Sequence, residues 1–263
     1  MDLHLKNKVA LVTAASRGLG YATALAMAQE GCDIALCSRT QADVETAANQ
    51  IAKSTGARVL PRVADVTVPE DIDALVDATL TEFGRVDALF INAGGPPPGG
   101  FLDLQPEDWK AASELTVQSA VNLAYSVVPH MRANGGGSIL ANTSVSVRYP
   151  LDDLILSNSL RMAVVGLVKS LALELGADQI RVNAIAPGWT RTERVDQLLE
   201  NRAENNGTTP QEEAQTIAAE LPLRRMAEPE EFGRVAAFML SPAASYVTGV
   251  TLLVDGGMAR AIP

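Results

Sequence analysis

The sequence lacks the features that would place it in a membrane, outside the cell or on a polyanion. No run among its 263 residues is long and apolar enough to span a bilayer, and residues 1–8 contain no signal-peptide h-region. It has 2 cysteines. Cys32 and Cys37 lie five positions apart on one short segment, where a strand points them to opposite faces, so a mutual bridge is not expected. They read as core thiols of a cytoplasmic protein. Two well-separated histidines and the absence of Cys-x-x-Cys predict no metal site. Positive charge is scarce: 21 Lys and Arg stand against 31 Asp and Glu, a net charge of −10 that argues against nucleic acid or an anionic membrane as partner. There is no internal repeat, low-complexity tract or linker, so residues 1–263 are read as one domain.

What is present is a 47% apolar chain rich in Ala, Val and Leu, suited to a sheet covered by helices. Strands are expected at 9–12, 32–37, 57–66, 86–91, 138–143, 180–186 and 250–254. Helices are expected at 21–30, 41–55, 69–83, 109–131, 153–175 and 229–240. Pro61 argues that the third strand is short or irregular. Pro69 suits a first helical turn, and Gly84 lies past that helix's end. Strands alternating with helices predict an α/β fold, a doubly wound parallel sheet of the Rossmann type. The stretch 190–223 is polar and rich in Glu and Gln. Thr209-Pro210-Gln211-Glu212 reads as an N-cap, a Pro at N1 and a capping-box glutamate, after a turn at Asn205-Asn206-Gly207. Directly following Pro187-Gly188, this stretch is expected to be a mobile helical lid over a substrate.

The first strand runs into Thr13-Ala14-Ala15-Ser16-Arg17-Gly18-Leu19-Gly20 and then an Ala-rich helix. Strand, glycine turn and helix N-terminus together make an anion site, because free N–H groups and the helix dipole favour negative charge there. Gly18 and Gly20 lack a Cβ, which lets a pyrophosphate approach the backbone. The stretch resembles the Thr-Gly-x-x-x-Gly-x-Gly fingerprint of short-chain dehydrogenases/reductases, with Ala14 at the first glycine. Alanine tolerates positive φ poorly, so a slightly reshaped turn is expected.

Further strand ends carry the same resemblance. Ser38-Arg39 follows the second strand, where an acid would bind the 2′-hydroxyl of NAD. A hydroxyl and a guanidinium suit a 2′-phosphate instead, and Arg17 is expected to reach the same group, so NADP(H) is preferred over NAD(H). Asp65-Val66 resembles the family's adenine contact, and Asn92-Ala93-Gly94 its Asn-Ala-Gly motif. Pro187-Gly188-Trp189-Thr190-Arg191-Thr192 resembles the Pro-Gly motif that holds the nicotinamide carboxamide, and Asp255-Gly256-Gly257 the C-terminal signature. The cofactor set implied is Thr13, Ser16, Arg17, Gly18, Leu19, Gly20, Ser38, Arg39, Asp65, Val66, Asn92, Ala93, Gly94, Arg161, Pro187, Gly188, Thr190 and Thr192. The resemblance also implies a homotetramer, in which two long helices pair across a two-fold axis and the C-terminal segment forms a second interface.

The catalytic positions depart from the family. Ser144 aligns with the serine that polarises the carbonyl. The tyrosine that supplies the proton is replaced by Ser157, and the lysine four residues on by Arg161, in Leu156-Ser157-Asn158-Ser159-Leu160-Arg161. Thr116 stands where asparagine is expected. A serine hydroxyl is far less acidic than a phenol. Arginine holds ribose hydroxyls and can stabilise an oxyanion but stays charged. Tyr149 is the only tyrosine near Ser144 in sequence, and Asp152 and Asp153 read as helix-start residues. With Asn92-Ala-Gly-Gly-Pro-Pro-Pro-Gly-Gly100, a proline-stiffened wall, these features resemble a divergent 3-oxoacyl-carrier-protein-reductase-like branch. Ser144, Ser157 and Arg161 are the catalytic candidates for hydride transfer with a small-molecule ketone or secondary alcohol. Two alternatives stay open. One is a nucleotide-binding pseudoenzyme or sensor. The other is a relative of the halohydrin dehalogenases, which carry arginine at the lysine position but keep the tyrosine.

Overall fold

A computed structural model of the protein describes residues 1–260. The strands are β1 (Val9–Val12), β2 (Asp33–Ser38), β3 (Val59–Val63), β4 (Ala88–Ile91), β5 (Gly137–Asn142), β6 (Ile180–Pro187) and β7 (Thr251–Val254). They form one sheet in the order β3-β2-β1-β4-β5-β6-β7, with every neighbouring pair parallel. The helices are α1 (Gly18–Gln29), α2 (Gln41–Thr55), α3 (Pro69–Phe83), α4 (Pro106–Ser113), α5 (Ser119–Ala133), α6 (Ile155–Leu175), α7 (Glu193–Asn206), α8 (Pro210–Glu220) and α9 (Pro229–Leu240).

Strand side chains alternate between two cores. Leu11, Leu89 and Ile139 join Leu75 of α3, Leu123 of α5 and Val168 of α6 on one face. Val12, Phe90 and Leu140 join Met27 of α1, Ile51 of α2 and Phe232 of α9 on the other. Phe90 and Phe232 meet edge to face with centroids 6.2 Å apart. The two cysteines fall on opposite faces, Cys37 in the first core and Cys32 in the second, and both thiols are free. Burial pushes the Cys37 thiol up to about 12 and raises that of Cys32 as well.

Local signals account for the element ends. Pro69 opens α3, and Gly84 closes it at φ 78°. Thr209 and Glu212 form the reciprocal capping box at the start of α8. β3 is shorter than the expected 57–66. It tolerates Pro61 because it is an edge strand, with one row of N–H groups unpaired in any case. The stretch expected as one helix at 109–131 starts earlier, at Pro106, and is interrupted by a π-helical turn at Glu114–Gln118. Asp152 and Asp153 do not begin a helix. α6 starts at Ile155, and Asp153 sits at φ 57° with its carbonyl accepting from Gly99 N–H at 2.6 Å.

α7 and α8 form a hairpin with a small core of its own, made of Val195, Leu199, Ile217, Leu221 and Met226. Glu213 is buried in its turn and accepts from Asn206 Nδ2 (2.9 Å), Thr208 Oγ1 (2.6 Å) and Arg202 Nε (3.3 Å). These bonds, that of Thr208 foremost, hold its carboxyl below the usual range. None of the described helices is long and apolar enough to cross a membrane.

Candidate active site

The strand order reverses between β1 and β4, and a cleft of about 630 Å³ opens there along the carboxyl ends of the strands. At its floor α1 begins without a capping side chain and without an acid in its first turn, leaving its N–H groups directed at the cleft. Gly18 takes φ 58° and faces the Thr192 side chain. Ala14 takes φ 47°, so the turn holds an alanine in the left-handed region instead of avoiding it, at a cost of about 1–2 kcal/mol.

Thr13 and Gly20 serve the frame of the cleft and do not line it. Thr13 is fully buried; its hydroxyl donates to Asn92 O at 2.7 Å and accepts from Asn92 N–H at 2.9 Å. A Cβ on Gly20 would lie 2.4 Å from Ala14 O and 2.9 Å from Asn92 Nδ2, so close packing by itself requires this glycine. The Asn92 amide donates to Thr13 O (3.3 Å) and Ala14 O (3.1 Å), and its Oδ1 accepts from Asn142 Nδ2 at 2.9 Å.

Of the other sequence candidates, Ser16, Gly18, Leu19, Ser38, Arg39, Asp65, Val66, Ala93, Gly94, Pro187, Gly188, Thr190 and Thr192 line the cleft. Ser38 Oγ donates to Thr40 O at 3.1 Å, and Asp65 Oδ1 accepts from both the N–H and the hydroxyl of Thr67. Arg17 also lines the cleft, but its guanidinium pairs with Glu193 at the start of α7 and so links the glycine turn to the helical hairpin. Thr192 caps α7, its hydroxyl accepting from Val195 N–H at 3.4 Å.

The other half of the cleft holds Asn142, Ser144, Ser157 and Arg161. Ser144 Oγ accepts from Ser146 N–H at 3.1 Å, which leaves its own proton free to donate. Ser157 Oγ lies 3.4 Å from Ser146 Oγ. Arg161 is only 9% exposed; Nη1 donates to Asn142 O at 3.0 Å, and no carboxylate among the described residues pairs with it. Burial, and next the like charge of Arg194, pull its guanidinium down to about 10, still cationic at neutral pH. Asn142 Oδ1 is buried beside this bond with no donor. Among the described residues no Tyr, Lys, His or Cys lines the cleft. Tyr149 is half exposed outside it, and Thr116 is buried in the π turn, its hydroxyl without a partner.

Comparison with known proteins decides the family. Residues 13–259 match the family described as enoyl-(acyl carrier protein) reductase. The chain is 37% identical over 254 residues to dehydrogenase/reductase SDR family member 4 of Oryctolagus cuniculus, covering 96% of this chain and 94% of the relative. The chain belongs to the short-chain dehydrogenase/reductase family. L-sorbose reductase of Gluconobacter frateurii, solved with NADPH and L-sorbose, superposes over the whole of both chains with a TM-score of 0.95 at 36% identity. A 7α-hydroxysteroid dehydrogenase solved with NADH and 7-oxo glycochenodeoxycholic acid gives 0.88 at 32%, over 100% of this chain and 98% of that one. As a member of this family the chain is an oxidoreductase with a nicotinamide-cofactor fold.

Relative to that family, the residues that sequence reasoning missed are Gly95, Asn142 and Arg194. Arg194 Nη2 donates to Pro96 O at 2.6 Å, and a Cβ on Gly95 would lie 2.7 Å from Arg194 Nε. No local pattern marks Arg194, which reaches the cleft only through the fold. The Asn92 amide is the piece of the frame most open to test. Asn92→Ala leaves buried carbonyls and the Asn142 amide without partners. It is expected to lower unfolding stability by about 3 kcal/mol in urea titrations at fixed protein concentration.

Proposed function

We propose that the chain is an NADP(H)-dependent oxidoreductase that interconverts a ketone and a secondary alcohol. The observation that carries this reading is the placement of Ser144 and Arg161. Both line the cleft, and the Arg161 guanidinium is held on a carbonyl two residues before Ser144. The cleft fits a dinucleotide, with an uncapped helix N-terminus over the glycine turn and an orphaned Asn142 Oδ1 at its far end. When bound, a nicotinamide supplies or accepts the hydride. Ser144 donates a hydrogen bond to the carbonyl oxygen while keeping its proton, and Arg161 offers further N–H donors to the charge that develops there. With no phenol among the residues that line the cleft, water or a group outside this set delivers the proton.

Preference for NADP(H) rests on Ser38 and Arg39 at the end of β2, since the two related structures carry different cofactors. Arg39 makes no ion pair among the described residues and is the group available to a 2′-phosphate, whereas Arg17 is engaged by Glu193. Calorimetric titration is expected to give tighter binding of NADP(H) than NAD(H), and Arg39→Asp to reverse the order. Equal affinities in the parent would count against the reading.

Ser144→Ala is expected to cost about 10²–10³ in turnover, as loss of one oxyanion donor does, and Ser157→Ala much less. The pair Ser157→Tyr with Arg161→Lys restores an acid and its partner on adjacent turns of α6 and is expected to raise ketone reduction, read as NADPH oxidation with small ketones and 3-oxoacyl thioesters. The absence of Tyr and Lys from the cleft favours one second reading, a pseudoenzyme. Tight NADP(H) binding by parent and double mutant with no turnover by either would establish it.

The exposed Tyr125, Met162 and Leu173 on α5 and α6 support pairing of these helices between copies, and we assign a cytoplasmic homotetramer. Light scattering at micromolar concentration is expected to return four times the chain mass of 27.7 kDa.

A further inference from the structure

The reactive half of the cleft contains two cationic side chains and no anionic one. Arg161 spends one of its five donors on Asn142 O, and Arg194 spends one on Pro96 O. The carboxylates that line the cleft lie elsewhere. Asp43 and Asp65 follow β2 and β3, and Glu193 is paired with Arg17. A guanidinium that is only 9% exposed, unpaired and facing a cavity is costly unless a ligand completes it. Burial first, and the like charge of Arg194 second, make Arg161 a weaker base than an ordinary arginine.

The position of Arg194 separates this charge from the glycine turn. Its side chain lies along Gly95 and Pro96, on the loop that follows β4, and glycine at 95 gives it room. The cradle for a pyrophosphate is at Gly18 and the start of α1, where Arg17 is the nearer cation and is already bridged. The Gly99–Asp153 hydrogen bond ties the same proline loop to the chain before α6. Arg194 is therefore braced against a wall that also closes the substrate side.

We propose that the carbonyl substrate is an oxo acid, with its keto oxygen between Ser144 and Arg161 and its carboxylate on Arg194 against the Gly95–Pro96 wall. This rests on the oxidoreductase reading for the keto group, whereas the anion site stands on the two arginines alone. A planar, bidentate guanidinium suits a carboxylate better than an ammonium does.

The test is binding to the NADP⁺-loaded protein, in which no reduction occurs. Acetoacetate, levulinate and 2-oxobutanoate are titrated calorimetrically beside their methyl esters. At least one acid is expected to bind about tenfold or more tightly than its ester. Arg194→Met should abolish that difference while the Kd for NADPH stays within about twofold. Arg194→Lys, which keeps the charge and guards against a folding defect, should recover part of it. Gly95→Ala, which crowds the guanidinium, should weaken the acids and spare the esters. Acids that bind no better than esters would overturn the proposal. So would an Arg194→Met variant that keeps the acid preference but loses NADPH affinity, since the arginine would then serve a cofactor phosphate. Acid binding that depends on Arg194, together with no NADPH oxidation by any of the three, would leave the anion site standing and count against the proposed ketone reduction instead.

Discussion

One chain of hydrogen bonds holds the carboxyl edge of the sheet together, and the cleft exists because of it. Arg161 on α6 donates to the last carbonyl of β5, and the Asn142 amide donates to Asn92. Asn92, just past β4, donates to the Thr13 and Ala14 carbonyls beyond β1. Thr143 continues the line to β6, its hydroxyl donating to Ile185 O. Parallel strands end in carbonyls that have lost their ladder partners, and a ligand site needs those ends splayed without being left unsatisfied. Side-chain amides supply donors and an acceptor at fixed spacing, so the strands part at the switch point while their ends stay bonded. Gly20 belongs to the same constraint, because a Cβ there would collide with Ala14 O and push the turn away from the Asn92 amide.

The same chain explains how the site tolerates its substitutions. Ser157 and Arg161 stand where the sequence alignment expects the family's chemical residues, and Arg161 also anchors α6 to β5. A guanidinium has donors to spare: one fixes the helix, and the others remain for a ligand. Ser157 lines the cleft with its hydroxyl 3.4 Å from that of Ser146. On the proposed catalytic set of Ser144, Ser157 and Arg161, the cleft is rich in hydrogen-bond donors and has no phenol, a combination that favours stabilising charge on oxygen over carrying protons.

Most of the fold was legible in the sequence because its signals are local. Pro69, Gly84, the Thr209–Glu212 box and Pro229 each mark an end through the geometry of the adjoining turn. The errors have a common cause in tertiary context. The π turn at Glu114–Gln118 adds no break that composition could reveal, and Asp153 is drawn from helix start to left-handed turn by its bond with Gly99. In the site, most strand-end residues follow from topology, since in a doubly wound sheet the residue after each inner strand faces the cleft. Burial does not follow from topology, so the sequence does not show that Thr13 and Gly20 hold the frame of the cleft without lining it. Partnership does not follow either: Glu193, distant in sequence, takes the charge of Arg17. Arg194 was passed over because it stands in a polar stretch where a charged residue is unremarkable.

Total charge is likewise a poor guide to local field. The chain carries −10, a balance that argues against a polyanionic partner in bulk. Inside the cleft the sign inverts, because the surface acids are screened by water while Arg161 is removed from it. A low-dielectric wall with two cations and no anion is a state of raised energy, maintained by packing and by single carbonyl contacts. Any anion that enters relieves both the desolvation of Arg161 and its repulsion by Arg194. On the oxo-acid proposal that energy is released beside the proline loop and α6, so selection for charge and orientation of the reacting group would come from the same two side chains.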